Sequence, residues 1–199
     1  MRAEPKTRRG RESRDRIVQC AAVLIAERGV DPVGLDEVLT AAGVGKGQLY
    51  YYFDDRDALV EAAIAHRCAQ VQEALARMFG GLDSLAGLER ALEDYVRIYE
   101  ETLAGCPIGR IASEVAGRND GARRQVETAF DAWQELFADL FKRLRERGDL
   151  HHGTDPAALA TALLAALEGG QILSQTRNDA TSLRIAIAAA LGHIRTFLA

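Results

Sequence analysis

Gly47, Gln48, Tyr50 and Tyr51 fall within five consecutive residues of the stretch Lys46-Gly47-Gln48-Leu49-Tyr50-Tyr51-Tyr52-Phe53. At roughly 100° per residue of helix, only Leu49 and Phe53 share an apolar side, while Gly47 and Tyr51 point the opposite way. A glycine lets a partner approach closely, an amide offers a donor and an acceptor together, and phenolic hydroxyls bond phosphate oxygens. A helix this short with such an outer face is poorly made for a core. It suits contact with a DNA groove.

The elements that must hold this helix are legible on either side. Leu35, Val38, Leu39 and Ala42 recur at i, i+3, i+4 and i+7, the apolar face of a preceding helix. Gly43 ends that helix, with Val44 read as a buried plug in the turn. Upstream, Ile17, Ala21, Leu24 and Ile25 make the face of a first helix expected from about Glu12 or Ser13 to Gly29. Residues 1–10, with Pro5 and Gly10 and no apolar period, read as a flexible basic arm.

The run AAGVGKGQLYYYFDDRDAL resembles the helix-turn-helix signature of the TetR family of transcriptional regulators, on Ala42, Gly43, Val44, Lys46, Gly47, Leu49, Tyr50, Phe53 and Leu59. The likeness extends upstream through Ile17, Ala21, Ala22, Glu27 and Gly29, covering about the first sixty positions. It implies an all-α fold, an N-terminal three-helix helix-turn-helix domain followed by a larger helical ligand-binding and dimerisation domain. The corresponding segments are 1–10 for the arm, 11–55 for the DNA-binding domain and 56–199 for the rest. By position, Lys46, Gly47, Gln48, Tyr50, Tyr51, Tyr52 and Arg56 match places where the family touches double-stranded operator DNA. Chemically, Lys46 and Gln48 suit base edges, and Tyr50, Tyr51 and Arg56 suit phosphates. The chain departs from the pattern at Gly34, Asp36 and Gly45, where a hydroxyl, a basic residue and a hydroxyl are usual. Asp36-Glu37 would repel phosphate, which shifts the expected binding toward the arm and Tyr50–Tyr52.

The charge is distributed accordingly. The chain of 199 residues carries −4 in total. Residues 1–18 hold seven basic side chains against three acidic ones, leaving +4 there and −8 on the remainder. Hydrophobic residues at 48% and charged residues at 27% are those of a soluble globular protein. No apolar run approaches the ~20 residues that cross a bilayer, and no secretory signal opens the chain. Cys20, Cys68 and Cys106 are odd in number and far apart, as for reduced thiols in a cytoplasm.

Asp54 and Asp55 precede a long helix from Arg56 to about Phe79, read as a lever between the two domains. Beyond it, two aromatic stripes stand out: Tyr95 and Tyr99 on one helix, Phe130, Trp133 and Phe137 on another. Any one of these rings is more readily a core filler. Five large rings in a helical body otherwise built from Ala and Leu also suit a site for a small hydrophobic or aromatic effector, and both readings stay open. Trp133 is the expected contact and Tyr99 the hydrogen-bonding candidate. The run Gly105-Cys106-Pro107-Ile108-Gly109 resembles a TetR subgroup responsive to aromatic drugs and flavonoids.

Thr154 is read as the cap of a penultimate helix rich in Ala and Gly, and residues 180–198 as the final one. Their apolar faces suit internal packing or a second copy equally; the resemblance implies a homodimer through these two helices. An enzyme using the aromatic cavity is the alternative, yet no nucleophile with a base, phosphate loop or metal spacing accompanies it. Arg110 and Glu114 stand four apart, the usual spacing of a surface pair. His151 and His152 are adjacent, and His66 and Cys68 lack visible partners, so no catalytic residue, metal ligand or cofactor is assigned. A purely protein-binding helical adaptor would leave the outward tyrosines and basic arm without a role.

Overall fold

The computed structural model describes residues 5–115 and 120–199; Arg2 of the arm lies outside them. The described residues form α1 (Arg8–Arg28), α2 (Leu35–Ala42), α3 (Lys46–Tyr52), α4 (Arg56–Phe79), α5 (Leu85–Thr102), α6 (Pro107–Val115), α7 (Asp120–Glu146), α8 (Pro156–Arg177) and α9 (Thr181–Arg195). No strand occurs among them. They group into two compact units that do not follow chain order. One takes its described residues from Met1–Val71 and Pro107–Ala129, the other from Gln72–Cys106 and Phe130–Ala199. These units group α6 and the start of α7 with the N-terminal helices, a grouping the division at residues 55 and 56 read from the sequence does not contain.

In the first unit, α1 begins at Arg8, four residues before Glu12. Thr7 accounts for the earlier start, since its hydroxyl accepts from the Gly10 N–H at 3.1 Å. Arg8 and Glu12 then pair one turn apart at 2.7 Å. Arg8, Arg9 and Gly10 are thus helical rather than part of a loose arm. Gly29 ends α1 at φ 92°, a conformation that favours glycine. Ile17, Ala21, Ile25, Leu39, Leu49, Phe53 and Ile64 are buried together in this unit. Asp55 caps α4, its carboxylate accepting from Ala58 N–H at 2.8 Å.

α6 is fastened to the end of α1 by two side chains. The Arg110 guanidinium donates to the carbonyls of Ala26 and Glu27, at 3.1 and 3.2 Å. Glu114 accepts the Val30 N–H just beyond. The pair expected to decorate a surface instead ties two helices, although a weak contact at 3.9 Å between them remains.

In the second unit, α8 and α9 pack through small residues. A Cβ on Gly170 would stand 2.9 Å from the Leu183 Cα, so only glycine allows this approach. Asp155, not Thr154, caps α8, accepting from the N–H groups of Ala157 and Ala158. Thr154 is buried, with its hydroxyl unpartnered. α8 has the 22 residues expected of it, shifted by one position, yet by length and composition it is apolar enough to cross a membrane, where the sequence reading found no such run. Here Leu159, Leu163 and Leu167 are core residues. An antiparallel bridge joins Leu150 to Leu198, and His151 N–H donates to the Phe197 carbonyl at 2.9 Å.

Candidate nucleic-acid interface

The turn between α2 and α3 is built as its residues require. Gly43 takes a left-handed φ of 63°, and the Val44 N–H then closes onto the Leu39 carbonyl at 3.1 Å. Val44 itself is half-buried rather than a full plug. Gly34 and Gly45 head their helices without a side-chain cap.

α3 rests on Leu49, which is fully buried, and on Phe53 immediately after it. Its other face is open. A Cβ on Gly47 would meet no protein atom within 4 Å, so nothing inside the chain requires glycine there. Tyr51 is 67% exposed and Tyr50 44%. Tyr51 meets the Tyr52 ring edge-on, centroids 5.1 Å apart, which stiffens the pair.

The polar side chains divide into two groups. Lys46 pairs with Asp36 at 3.1 Å, both ends well exposed, and Glu37 pairs with Arg28. The acidic entry to α2 is thereby neutralised from inside the chain, and in water such exposed pairs are weak enough to exchange partners. Gln48 is more committed. Its Nε2 donates to the Ser13 hydroxyl at 2.6 Å, and Ser13 is buried.

Arg56 is engaged within the protein. Its guanidinium donates to the Val33 carbonyl at 3.1 and 3.3 Å and to the carbonyls of Val30 and Asp31. It anchors the loop between α1 and α2. Arg16 does similar work on α2, its Nε donating to the Ala42 carbonyl at 2.9 Å. Arg14 lies over the Phe53 ring, 5.3 Å from its centroid. Between the first turns of α1 and the side of α3 runs an open recess lined by Arg9, Arg16, Gln48 and Tyr52. Ser13 was the missing signal for it: a polar residue four before Ile17, on the stripe that should be apolar.

The aromatic residues of the second unit converge in part. Trp133 and Phe137 have centroids 6.4 Å apart, Phe137 and Phe79 5.2 Å, and Phe79 and Tyr95 6.0 Å. Phe130 is half-buried and outside this run. Tyr99, the expected hydrogen-bonding group, already donates its hydroxyl to the Gln171 carbonyl at 3.1 Å. Burial raises the Tyr95 phenol well above its ordinary value, reinforced by Cys106 and Glu168 nearby, while the Gln171 side chain bonds it and opposes the shift. Glu168 is also raised by burial, and a hydrogen bond with Cys106 works against the rise. Sequence reasoning missed Glu168, although it is the one acid inside an otherwise apolar helix.

Comparison with known proteins agrees with this geometry. Residues 17–63 match the family model of bacterial regulatory proteins of the tetR family. Residues 84–189 match that of the transcriptional regulator LmrA/YxaF-like C-terminal domain. The chain is 34% identical over 156 residues to the transcriptional regulator AcuR of Cereibacter sphaeroides, covering 73% of this chain and 68% of that protein. It is 31% identical to an HTH-type transcriptional regulator of Mycobacterium tuberculosis, over 85% of this chain and 88% of the other. A crystal structure of a TetR transcriptional regulator from Chloroflexus aurantiacus superposes with a TM-score of 0.83, at 28% identity, over 96% of this chain and 98% of that one. These relatives are transcriptional regulators rather than enzymes. The chain belongs to the TetR family of transcriptional regulators.

Proposed function

We propose that this regulator is a repressor that binds a palindromic operator as a homodimer and is released by a small hydrophobic or aromatic effector. The observation that carries the DNA reading is α3. Its buried side is only Leu49 and Phe53, and its outer side presents Gly47, Gln48, Tyr50 and Tyr51 beside the basic start of α1. In this reading Lys46 and Gln48 face base edges, Tyr50 to Tyr52 hold phosphates, and Arg56 orients the loop behind them. A single α3 is too short to specify a site alone, so two-fold pairing supplies the second half-site.

The pairing surface is α8 with α9. Ile172, Leu173 and Ile185 are exposed there, which a monomer has no reason to maintain on adjacent helices. Two relatives support the sign of regulation: DhaR of Mycobacterium and NemR of Escherichia coli are named as repressors. The protein then works in the cytoplasm. Tyr95, Tyr99, Phe130, Trp133 and Phe137 stand as the effector residues of this proposal. Footprinting of the DNA flanking its own gene, with and without candidate effectors, tests the whole reading. Protection of two symmetric half-sites supports it; absence of any shift at micromolar protein overturns it.

A further inference from the structure

Three polar atoms among the described residues of the second unit are buried without a partner; the Thr154 hydroxyl stands just before α8, and the other two differ in kind. The Trp133 Nε1–H is a donor on a residue 2% exposed, and Glu168 Oε1 is an acceptor. A buried polar group left unsatisfied costs about 1–3 kcal/mol, so natural proteins keep few of them without a use. A carboxyl is the more expensive of the two, because its charge must be matched when it ionises.

The surroundings of Glu168 supply no such match. Among the described residues no lysine, arginine or histidine forms an ion pair with it, although such pairs are made freely elsewhere along the chain. Its neighbours are neutral or acidic: the Cys106 thiol on one oxygen and the Tyr95 phenol nearby. Tyr95 in turn opens the run of rings through Phe79 and Phe137 to Trp133. A carboxyl without a cation, set beside aromatic faces, is the arrangement that stabilises an organic cation twice. The carboxylate gives a charge partner, and each ring face attracts a positive group.

We propose that the effector is an apolar organic cation, a protonated amine or quaternary ammonium carried on a hydrocarbon or aromatic body, with its charge against Glu168 and its body among Tyr95, Phe79 and Trp133. This rests on the reading of the second unit as the effector domain. It goes further by fixing the sign of the ligand's charge. Neutral molecules of the same shape are discriminated against because they leave the Glu168 carboxyl unpaired. Glu168 is thus a specificity residue, and Trp133 both a wall of the site and its reporter.

The experiment uses the full chain and two isosteric probes, benzyltrimethylammonium and the uncharged neopentylbenzene. Trp133 is the only tryptophan, so its emission reads binding directly. The cation is expected to change Trp133 emission saturably and to bind at least tenfold more tightly than the hydrocarbon. Glu168→Gln, its fold checked by its melting curve, is expected to remove that preference without weakening the hydrocarbon. Equal or tighter binding of neopentylbenzene to the natural chain overturns the charge assignment while leaving the effector site in place. Survival of the cation's preference in Glu168→Gln overturns the role of Glu168. Unchanged emission with both probes overturns the inference together with the effector site itself. The comparison on the natural chain stands even where the variant does not fold.

Discussion

Gln48 Nε2 and Ser13 Oγ lie 2.6 Å apart, linking the side of α3 to the first helix. The Gln48 amide is therefore held in one orientation. In the function proposed above, its second N–H and its carbonyl remain for a base edge, an arrangement that would lower the ordering cost of binding.

Gln48→Ala is expected to weaken operator binding by about 1–3 kcal/mol while leaving random DNA nearly unaffected. Ser13→Ala should do the same to a smaller degree, by freeing the amide to rotate. Fluorescence anisotropy on operator and scrambled duplexes measures both. Equal loss on the two duplexes would show that Gln48 does not read sequence.

The basic start of α1 makes a separate prediction. Replacing Lys6 and Arg9 by alanine should weaken binding to all sequences alike. The slope of log affinity against log salt should flatten by about 0.9 for each phosphate that is no longer neutralised. Thr7→Ala tests the helical part of the same segment. It removes the cap on Gly10 and should cost about 1 kcal/mol of stability, read by denaturant titration. An unchanged salt slope in the double variant would make this segment a spectator.

Arg56 should behave as an anchor. Arg56→Ala removes its bonds to the carbonyls of Val30 and Val33, and is expected to lower stability by about 1–3 kcal/mol. The salt dependence of DNA binding should stay as it was. A slope reduced by nearly one, with the melting curve unmoved, would instead place the guanidinium on a phosphate.

Leu173→Glu combined with Ile185→Glu should give a folded monomer by sedimentation, with operator binding abolished and helical content kept. Both side chains are exposed, so neither substitution disturbs the packing of α8 on α9. A variant that remains dimeric would move the pairing surface off these helices.

Much of the fold can be read from spacing alone. The α2–α3 turn needs a glycine at 43 and an inward Leu49, and both are local demands that periodicity exposes. Helix starts are harder. Thr7 and Asp155 cap their helices through one or two hydrogen bonds, and nothing in hydrophobic periodicity separates them from Ser13 or Thr154. The deepest gap lies in partnerships between distant residues. Arg110 binds carbonyls eighty-four and eighty-three positions away, whereas its spacing from Glu114 suggests a simple surface pair. Among the candidate effector residues, Trp133, Phe137 and Tyr95 are joined by rings, while Phe130 is set apart. Register along α7 distinguishes them, but only once their neighbours on other helices are known.

The apolar length of α8 has a consequence for synthesis. α8 is made before α9, and its Leu159, Leu163 and Leu167 are buried in a unit where α9 closes on α8 at Gly170 and Leu183. A chain that ends between Asn178 and Thr181 lacks α9 and presents an uncovered apolar helix to whatever is near. The short link through Asp179-Ala180 joins the two helices directly, so that α9 is at hand as soon as α8 forms. Fragments cut within this link would therefore be recovered in the insoluble pellet or bound to chaperones rather than as folded protein.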